Sequence, residues 1–320
     1  MSKKIFIAGH KGMVGSSLFR LLSKDSDNHI IVKSRSELDL TCRSDVQDFF
    51  NNNKIDQVYL AAAKVGGIIA NSENPANFLF ENLMIQMNII ESAHINNVQD
   101  MLFLGSSCIY PRLAVQPMTE DALLSGHLEP TNEGYAIAKI AGIKLCETYN
   151  KQYGRNYRSI MPSNLYGPGD NFHPEHSHVI PGLMRRFHEA KIENKKEVLV
   201  WGTGNAKREF TYVDDIAQAC LFVANLPPEE YNSSTSPNLS HINAGCGIDY
   251  SIKELANTIA RVVGFKGLID FDSSKPDGAP RKLVDVNLIN NLGWKSSVEL
   301  EEGLGMTYEW FIENSTSYRS

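Results

Sequence analysis

Lys4-Ile5-Phe6-Ile7-Ala8-Gly9-His10-Lys11-Gly12-Met13-Val14-Gly15 is the stretch that decides the fold of this 320-residue chain. Lys4 to Ala8 is a short, strongly apolar run of the kind that forms a buried strand. It passes directly into glycines at positions 9, 12 and 15, and a helical run, Ser16 to Ser23, follows. A glycine-rich turn between a strand and a helix lets backbone N–H groups approach a pyrophosphate at the positive helix end. The spacing is GxxGxxG rather than GxGxxG, so the strand–turn–helix setting carries the reading more than the glycines do.

The next strand, His29 to Lys33, ends at Ser34-Arg35-Ser36. A site for NAD usually places an acidic residue about 20 residues past the glycines, where it holds the ribose 2′-hydroxyl. A serine and an arginine suit a 2′-phosphate instead, which favours NADPH over NADH. Asp39, slightly further on, keeps NADH possible. A third strand, Gln57 to Leu60, opens into Ala61-Ala62-Ala63-Lys64-Val65-Gly66-Gly67, small residues that admit a flat ligand or pack tightly.

Asn77 to Asn96 reads as a long helix. Then comes Phe103-Leu104-Gly105-Ser106-Ser107-Cys108-Ile109-Tyr110-Pro111, an apolar strand that delivers two hydroxyls and a thiol into a loop. Downstream, Tyr135-Ala136-Ile137-Ala138-Lys139 sets a phenol and an ammonium on one helix face. At about 4 Å and an effective dielectric near 20 their attraction is roughly 4 kcal/mol, enough, before desolvation is subtracted, to bring the phenol toward neutrality. Tyr-x-x-x-Lys alone is common. Beside Ser106, and with a hydride-donor site upstream, it reads as a carbonyl-reduction site.

A strand at Tyr157 to Met161 and the turn Pro162-Ser163-Asn164-Leu165-Tyr166-Gly167-Pro168 complete the first half. Strands alternating with helices imply an α/β fold with a doubly wound parallel sheet. Gly9, Arg35, Ala61 and Ser106 would then share its carboxyl edge, where such sheets bind ligands. After Pro168 the texture changes. Gly169 to Pro181 is loop-like, and short elements follow: helices at Leu183 to Lys191, Asp214 to Asn225, Ile252 to Val263 and Glu299 to Glu313, and strands at Val198 to Gly202, His241 to Ala244 and Leu268 to Phe271. We read a Rossmann-like domain of residues 1–168 plus about 210–245. A smaller α/β substrate lobe takes about 169–209 and 246–320.

Composition narrows the rest. Hydrophobic residues are 42% and the net charge is −6, with no long basic run. Nucleic acid and anionic membrane surfaces are therefore poor partners. Five cysteines without CxxC spacing fit a reducing cytoplasm better than a disulfide framework or a zinc ribbon. The apolar run near Met1 is too short for a signal segment, and no stretch approaches a membrane span.

Several groups carry chemistry in more than one reading. Cys108 is either a small buried hydrophobe or, beside the carbonyl site, a proton-abstracting thiolate. His173, His176 and His178 are spaced too irregularly for a metal, and one of them is better placed as an acid. Arg185, Arg186, Arg208, Arg281 and Lys282, with Trp201, suit either a nucleotide diphosphate and its base or a solvated surface.

With these residues assembled, the chain resembles the extended short-chain dehydrogenase/reductase superfamily, and within it the GDP-4-keto-6-deoxy-D-mannose 3,5-epimerase/4-reductases. The resemblance spans the chain. It rests on Ile5 to His10, Ala61 to Gly67, Gly105 to Pro111, Pro162 to Pro168, Asn171-Phe172-His173-Pro174, Ser177-His178-Val179-Ile180-Pro181 and Lys275-Pro276-Asp277-Gly278. It implies a reductase triad of Ser106, Tyr135 and Lys139, with Cys108 as base and His178 as acid of two epimerisations. It implies an NADPH site at Gly9, Gly12, Met13, Val14, Gly15, Arg35, Ala62, Tyr135, Lys139, Pro162, Asn164, Leu165 and His178. Arg186, Trp201, Arg208 and Lys282 fall on a GDP-sugar site, and no metal is implied. It further implies a cytoplasmic homodimer joined through paired helices. One departure is Gly134, where the resemblance expects proline. A 4,6-dehydratase of the same superfamily would want Asp-Glu just after the strand serine, where Ser107, Cys108 and Ile109 stand.

Overall fold

The computed structural model describes residues 3–275 and 277–314. Met1, Ser2 and Pro276 of the Lys275–Gly278 motif lie outside the described residues. The elements run β1 (Lys3–Ala8), α1 (Met13–Leu22), β2 (Asn28–Ile31), α2 (Arg43–Asn52), β3 (Gln57–Leu60), α3 (Ile68–Glu73), α4 (Pro75–Ile95), β4 (Asp100–Leu104), α5 (Glu133–Tyr153), β5 (Asn156–Pro162) and β6 (Asn164–Tyr166). They continue with α6 (Val179–Ile192), β7 (Glu197–Trp201), β8 (Lys207–Tyr212), α7 (Val213–Asn225), α8 (Pro228–Ser234), β9 (Ile242–Ala244), β10 (Asp249–Ser251), α9 (Ile252–Val263), β11 (Leu268–Asp272), β12 (Arg281–Lys282), α10 (Asn287–Asn291) and α11 (Leu300–Glu313).

Six strands form one sheet in the order β2-β1-β3-β4-β5-β9, and every pairing is parallel. Ile5 and Ile7 join Val14, Leu18 and Val213 on the face covered by α1 and α7. Phe6 joins Phe50, Ile89 and Ile143 on the face covered by α2, α4 and α5. Alternate residues of one strand thus feed two separate cores, which is why β1 is apolar without interruption from Ile5 to Ala8. β2 lies on one side of β1 and β3 on the other. The crevice beyond their carboxyl ends is therefore the topological switch point, where such sheets take ligands.

A third core of Phe172, Leu183, Phe187, Leu255, Ile259 and Leu304 lies among α6, α9, α11 and β7. β7 pairs with β11 in parallel. Between the two bodies β8 acts as a joint, paired with β6 and β12 in parallel and with β10 antiparallel.

The structure differs from the sequence expectation where side chains are polar. The helix expected from Leu183 begins at Val179, inside the stretch that reads as loop. Hydropathy does not mark α2, which buries only Val46 and Phe50. It also misses β8, whose Glu209 is fully buried. That carboxylate accepts from the backbone N–H groups of Gly247 at 2.8 Å and Val284 at 3.0 Å, and burial raises its pKa to about 7. A charged residue that finds backbone donors can sit mid-strand in the interior.

Candidate active site

β1 ends at Ala8, and Gly9 turns at φ +88°, a left-handed conformation that glycine adopts without strain. A Cβ on Gly9 would stand 2.7 Å from Ala62 backbone, and one on Gly15 would stand 2.1 Å from the Gly9 carbonyl oxygen. Bare backbone is thus what lets β1, β3 and α1 converge. Gly12 caps α1 without a side-chain hydrogen bond, and the helix's first turn holds no acidic residue. Its terminal N–H groups, unpaired as at any helix start, face an anion site. These features fit a dinucleotide pyrophosphate. Gly15→Ala is expected to cost about 1–3 kcal/mol by overpacking and to weaken dinucleotide binding at least tenfold, read by thermal melting and cofactor titration.

Arg35 is exposed beyond β2, its guanidinium 3.8 Å from Glu81 of α4, and Glu81 also pairs with Lys64. A phosphate reaching Arg35 therefore competes with that carboxylate. Asp39 accepts from the N–H and hydroxyl of Thr41, at 2.9 and 2.7 Å, and so closes its own turn.

At the end of β4, Gly105 donates to the Ile160 carbonyl at 2.8 Å, and a Cβ there would strike the Met161 side chain. Ser106 follows, its Oγ accepting from the Cys108 N–H at 3.3 Å. Tyr135 lies in the first turn of α5 and Lys139 one turn on. The buried Lys139 ammonium donates to the Leu104 carbonyl at 2.7 Å and lies 5.8 Å from the Tyr135 ring centre. It thereby ties α5 to the end of β4.

The electrostatics correct one expectation. Burial, with Cys108 beside it, raises the Tyr135 phenol far above its ordinary pKa, against a hydrogen bond with Ser106. Lys139 does not bring the phenol toward neutrality, because its charge is directed at a carbonyl and it is itself desolvated, to a pKa of about 8. Tyr135 is held as a proton-bearing acid. Burial also raises the Cys108 thiol, while Lys282, Ser106 and Lys139, in that order, pull it down. Lys282 thus faces Cys108 as well as Arg208 and Glu129.

His178 is the residue that caps the start of α6. It keeps more than a third of its surface accessible, yet the protein around it displaces enough water to lower its pKa. The chain before it approaches the loop after β3: a Cβ on Gly67 would lie 3.5 Å from the Ser177 carbonyl oxygen. The rings of His173 and His176 stack at 4.6 Å, and His173 Nδ1 accepts from the N–H groups of Glu175 and His176 at 3.1 and 3.2 Å. They build a local turn. Among the described residues no cluster of three His, Cys, Asp or Glu side chains could hold a metal.

After Pro162, the Ser163 and Thr211 hydroxyls meet at 2.7 Å, and the Asn164 amide donates to the Glu209 carbonyl at 2.8 Å. Leu165 pairs with Thr211 in register. These contacts fix the edge of the sheet to the joint strand.

In the second body Trp201 is 58% exposed at the end of β7, with the Lys275 ammonium 5.5 Å from its ring. Arg208 donates to the Asp277 carbonyl at 3.4 Å, and the Asp277 carboxylate accepts from the N–H and hydroxyl of Thr203, each at 2.7 Å. An exposed indole beside Lys275, with Arg208 held by Asp277, suits a nucleotide base and diphosphate. Arg186 instead spends donors on the carbonyls of Gly182 at 3.4 Å and Leu199 at 3.2 Å. At Gly134 a Cβ would lie 3.0 Å from the Pro75 carbonyl oxygen, so α5 starts tightly against α4. Asn71, within the short helix α3, and Asn132, just before α5, carry no sequence signal, because amides are ordinary in short helices and turns.

A dinucleotide crevice and a Ser–Tyr–Lys cluster on one edge of a doubly wound sheet define the scaffold of a Rossmann-type epimerase or reductase. Residues 5–234 match the NAD dependent epimerase/dehydratase family, and the chain belongs to it. It is 59% identical over 320 residues to GDP-L-fucose synthase of Escherichia coli (strain K12), covering 100% of each chain. It superposes on a GDP-6-OMe-4-keto-L-xylo-heptose reductase from C. jejuni with a TM-score of 0.91 and 39% identity, over 98% of each chain. A GDP-L-fucose synthetase from Naegleria fowleri bound to NADP gives a TM-score of 0.87 at 26% identity, over 100% of this chain and 97% of that one.

Proposed function

We propose that the protein converts GDP-4-keto-6-deoxy-D-mannose to GDP-L-fucose by 3,5-epimerisation followed by reduction of the 4-keto group. The observation that carries this is the meeting of Ser106, Cys108, Tyr135 and Lys139 at the end of β4. A plain reductase needs no thiol there.

The 4-keto group acidifies the C3 and C5 protons, since the carbanion formed is an enolate. Ser106 and Tyr135 hold the enolate oxygen, a form of oxyanion stabilisation. Cys108 removes each proton, and His178 returns one to the opposite face. NADPH, when bound, supplies the hydride for C4. Tyr135 gives its proton to O4 as the alcohol forms, and Lys139 holds Tyr135 and the nicotinamide ribose. Gly9, Gly12, Met13, Val14 and Gly15 hold the pyrophosphate, and Arg35 the 2′-phosphate. Ala62, Pro162, Asn164, Leu165 and His178 line the nicotinamide half. Trp201, Arg208, Lys282 and Arg186 take the GDP.

In this reading residues 1–168 with about 210–245 bind the cofactor, and about 169–209 with 246–320 bind the sugar nucleotide. The protein works as a cytoplasmic homodimer, paired through the exposed apolar side chains Phe80 and Met87 of α4 and Ile137 of α5. No helix among the described residues is long and apolar enough to cross a membrane.

The test is to supply GDP-4-keto-6-deoxy-D-mannose and NADPH in D2O and read the product by NMR. The expected product is GDP-L-fucose with deuterium at C3 and C5. NADPH consumption without deuterium would reduce the protein to a 4-reductase, and no turnover would remove the substrate assignment.

A further inference from the structure

Between the start of α4 and the entry to α5 lies a pocket of about 250 Å3 whose lining includes Asn71, Ser72, Phe78, Thr131, Asn132 and Tyr135. Two of the lining residues carry buried amide oxygens, Asn71 Oδ1 and Asn132 Oδ1, that no group among the described residues meets. Asn71 is only 6% exposed. Its orientation follows from its nitrogen, which donates to the carbonyl oxygens of Gly66 at 2.8 Å and Gly67 at 3.0 Å. A flipped amide would set oxygen against both carbonyls, so Oδ1 must be the end without a partner. Asn132 precedes α5, yet its side chain caps no helix N–H. Neither oxygen is explained by the fold. Buried acceptors of this kind are rare and call for a donor from outside the chain.

Tyr135 lines the same pocket, so a group bound there neighbours the Tyr135 side chain. We propose that the pocket is the subsite for the vicinal 2,3-hydroxyls of the sugar, and that Asn71 and Asn132 select 3-hydroxylated over 3-deoxy 4-keto sugars. This rests on the reaction proposed above. In a 6-deoxy-4-keto hexose, C4 is flanked by C5 with its methyl and by C3 with its hydroxyl. A methyl offers no donor. One hydroxyl donates one hydrogen bond, so two acceptors are matched by the pair on C3 and C2. A 3-deoxy sugar leaves one acceptor buried and unmet, which is how sites built to bind a hydroxyl reject the analogue lacking it.

The test compares kcat/KM for GDP-4-keto-6-deoxy-D-mannose and GDP-4-keto-3,6-dideoxy-D-mannose in the wild type, Asn71→Ala and Asn132→Ala, with thermal melting of each. The wild type is expected to prefer the hydroxylated sugar by about 100-fold or more. Each substitution should shrink that preference at least tenfold, and Asn132→Ala should melt no lower than wild type. Equal losses on both sugars would mean that the residues only support the fold or the Gly66–Gly67 loop. No loss on either would mean that ordered water alone occupies the pocket. Both outcomes overturn the subsite while leaving the reaction intact. A wild type that turns over neither sugar overturns the reaction and the subsite with it.

Discussion

Tyr135→Phe is expected to lower kcat for 4-keto reduction by about 100- to 10,000-fold, the range that a positioned general acid supplies. Dinucleotide affinity should stay within about twofold, because the ring and the Lys139 contact to Leu104 remain. Single-turnover reduction followed by NADPH absorbance, with a cofactor titration alongside, reads both. The effect is large because phenylalanine has no proton to give. Burial keeps the proton on Tyr135, so the proton-bearing form is present throughout the working range. The pH profile separates Tyr135 from Lys139. The lysine pKa falls from 10.5 to about 8, so its charge is present below pH 8 and is lost as pH rises through 8. Reduction should decline on that alkaline limb in the wild type. An unchanged rate in Tyr135→Phe would remove the phenol from the chemistry.

The parts of the fold that hydropathy can express were legible in the sequence. β1 is buried on both faces from Ile5 to Ala8, so its apolar run announces a central parallel strand, and Gly9 and Gly15 after it are forced because a Cβ on either would come within 3 Å of Ala62 or Gly9 backbone. What escaped are elements whose polar groups are satisfied by partners far along the chain. Glu209 makes β8 read as surface until the N–H groups of Gly247 and Val284 are in place. The same holds in the site. Spacing sets Tyr135 and Lys139 on one face, because an i,i+4 pair is a local geometry, and the end of an apolar strand marks Ser106. Spacing cannot set the balance between the Lys139 charge and the desolvation of the phenol, since burial is a property of the whole fold. Nor can it mark Asn71, whose meaning lies in which of its two amide ends is left unpaired.

Cys108→Ala should abolish epimerisation, with a loss of about 100- to 10,000-fold in deuterium entry at C3 and C5, while slower 4-keto reduction persists. The product would then be the reduced but uninverted sugar. Only a thiolate can take the proton, and burial raises the thiol against the pull of Lys282, Ser106 and Lys139. Deuterium entry in the wild type should therefore climb with pH as the thiolate fraction grows. His178→Gln makes a different prediction. Inversion needs removal on one face and return on the other, so losing the acid leaves Cys108 to return a hydron to the face it came from, after its thiol has exchanged with D2O. Deuterium should still enter, now with retained configuration, and GDP-L-fucose should fall by a similar factor. The lowered imidazole pKa means that the acid must be recharged from solvent between inversions, so inversion in the wild type should weaken toward alkaline pH even as exchange rises. NMR of products formed in D2O by the two variants distinguishes the roles. If His178→Gln stops exchange as completely as Cys108→Ala does, the two residues act as one unit and not as base and acid on opposite faces.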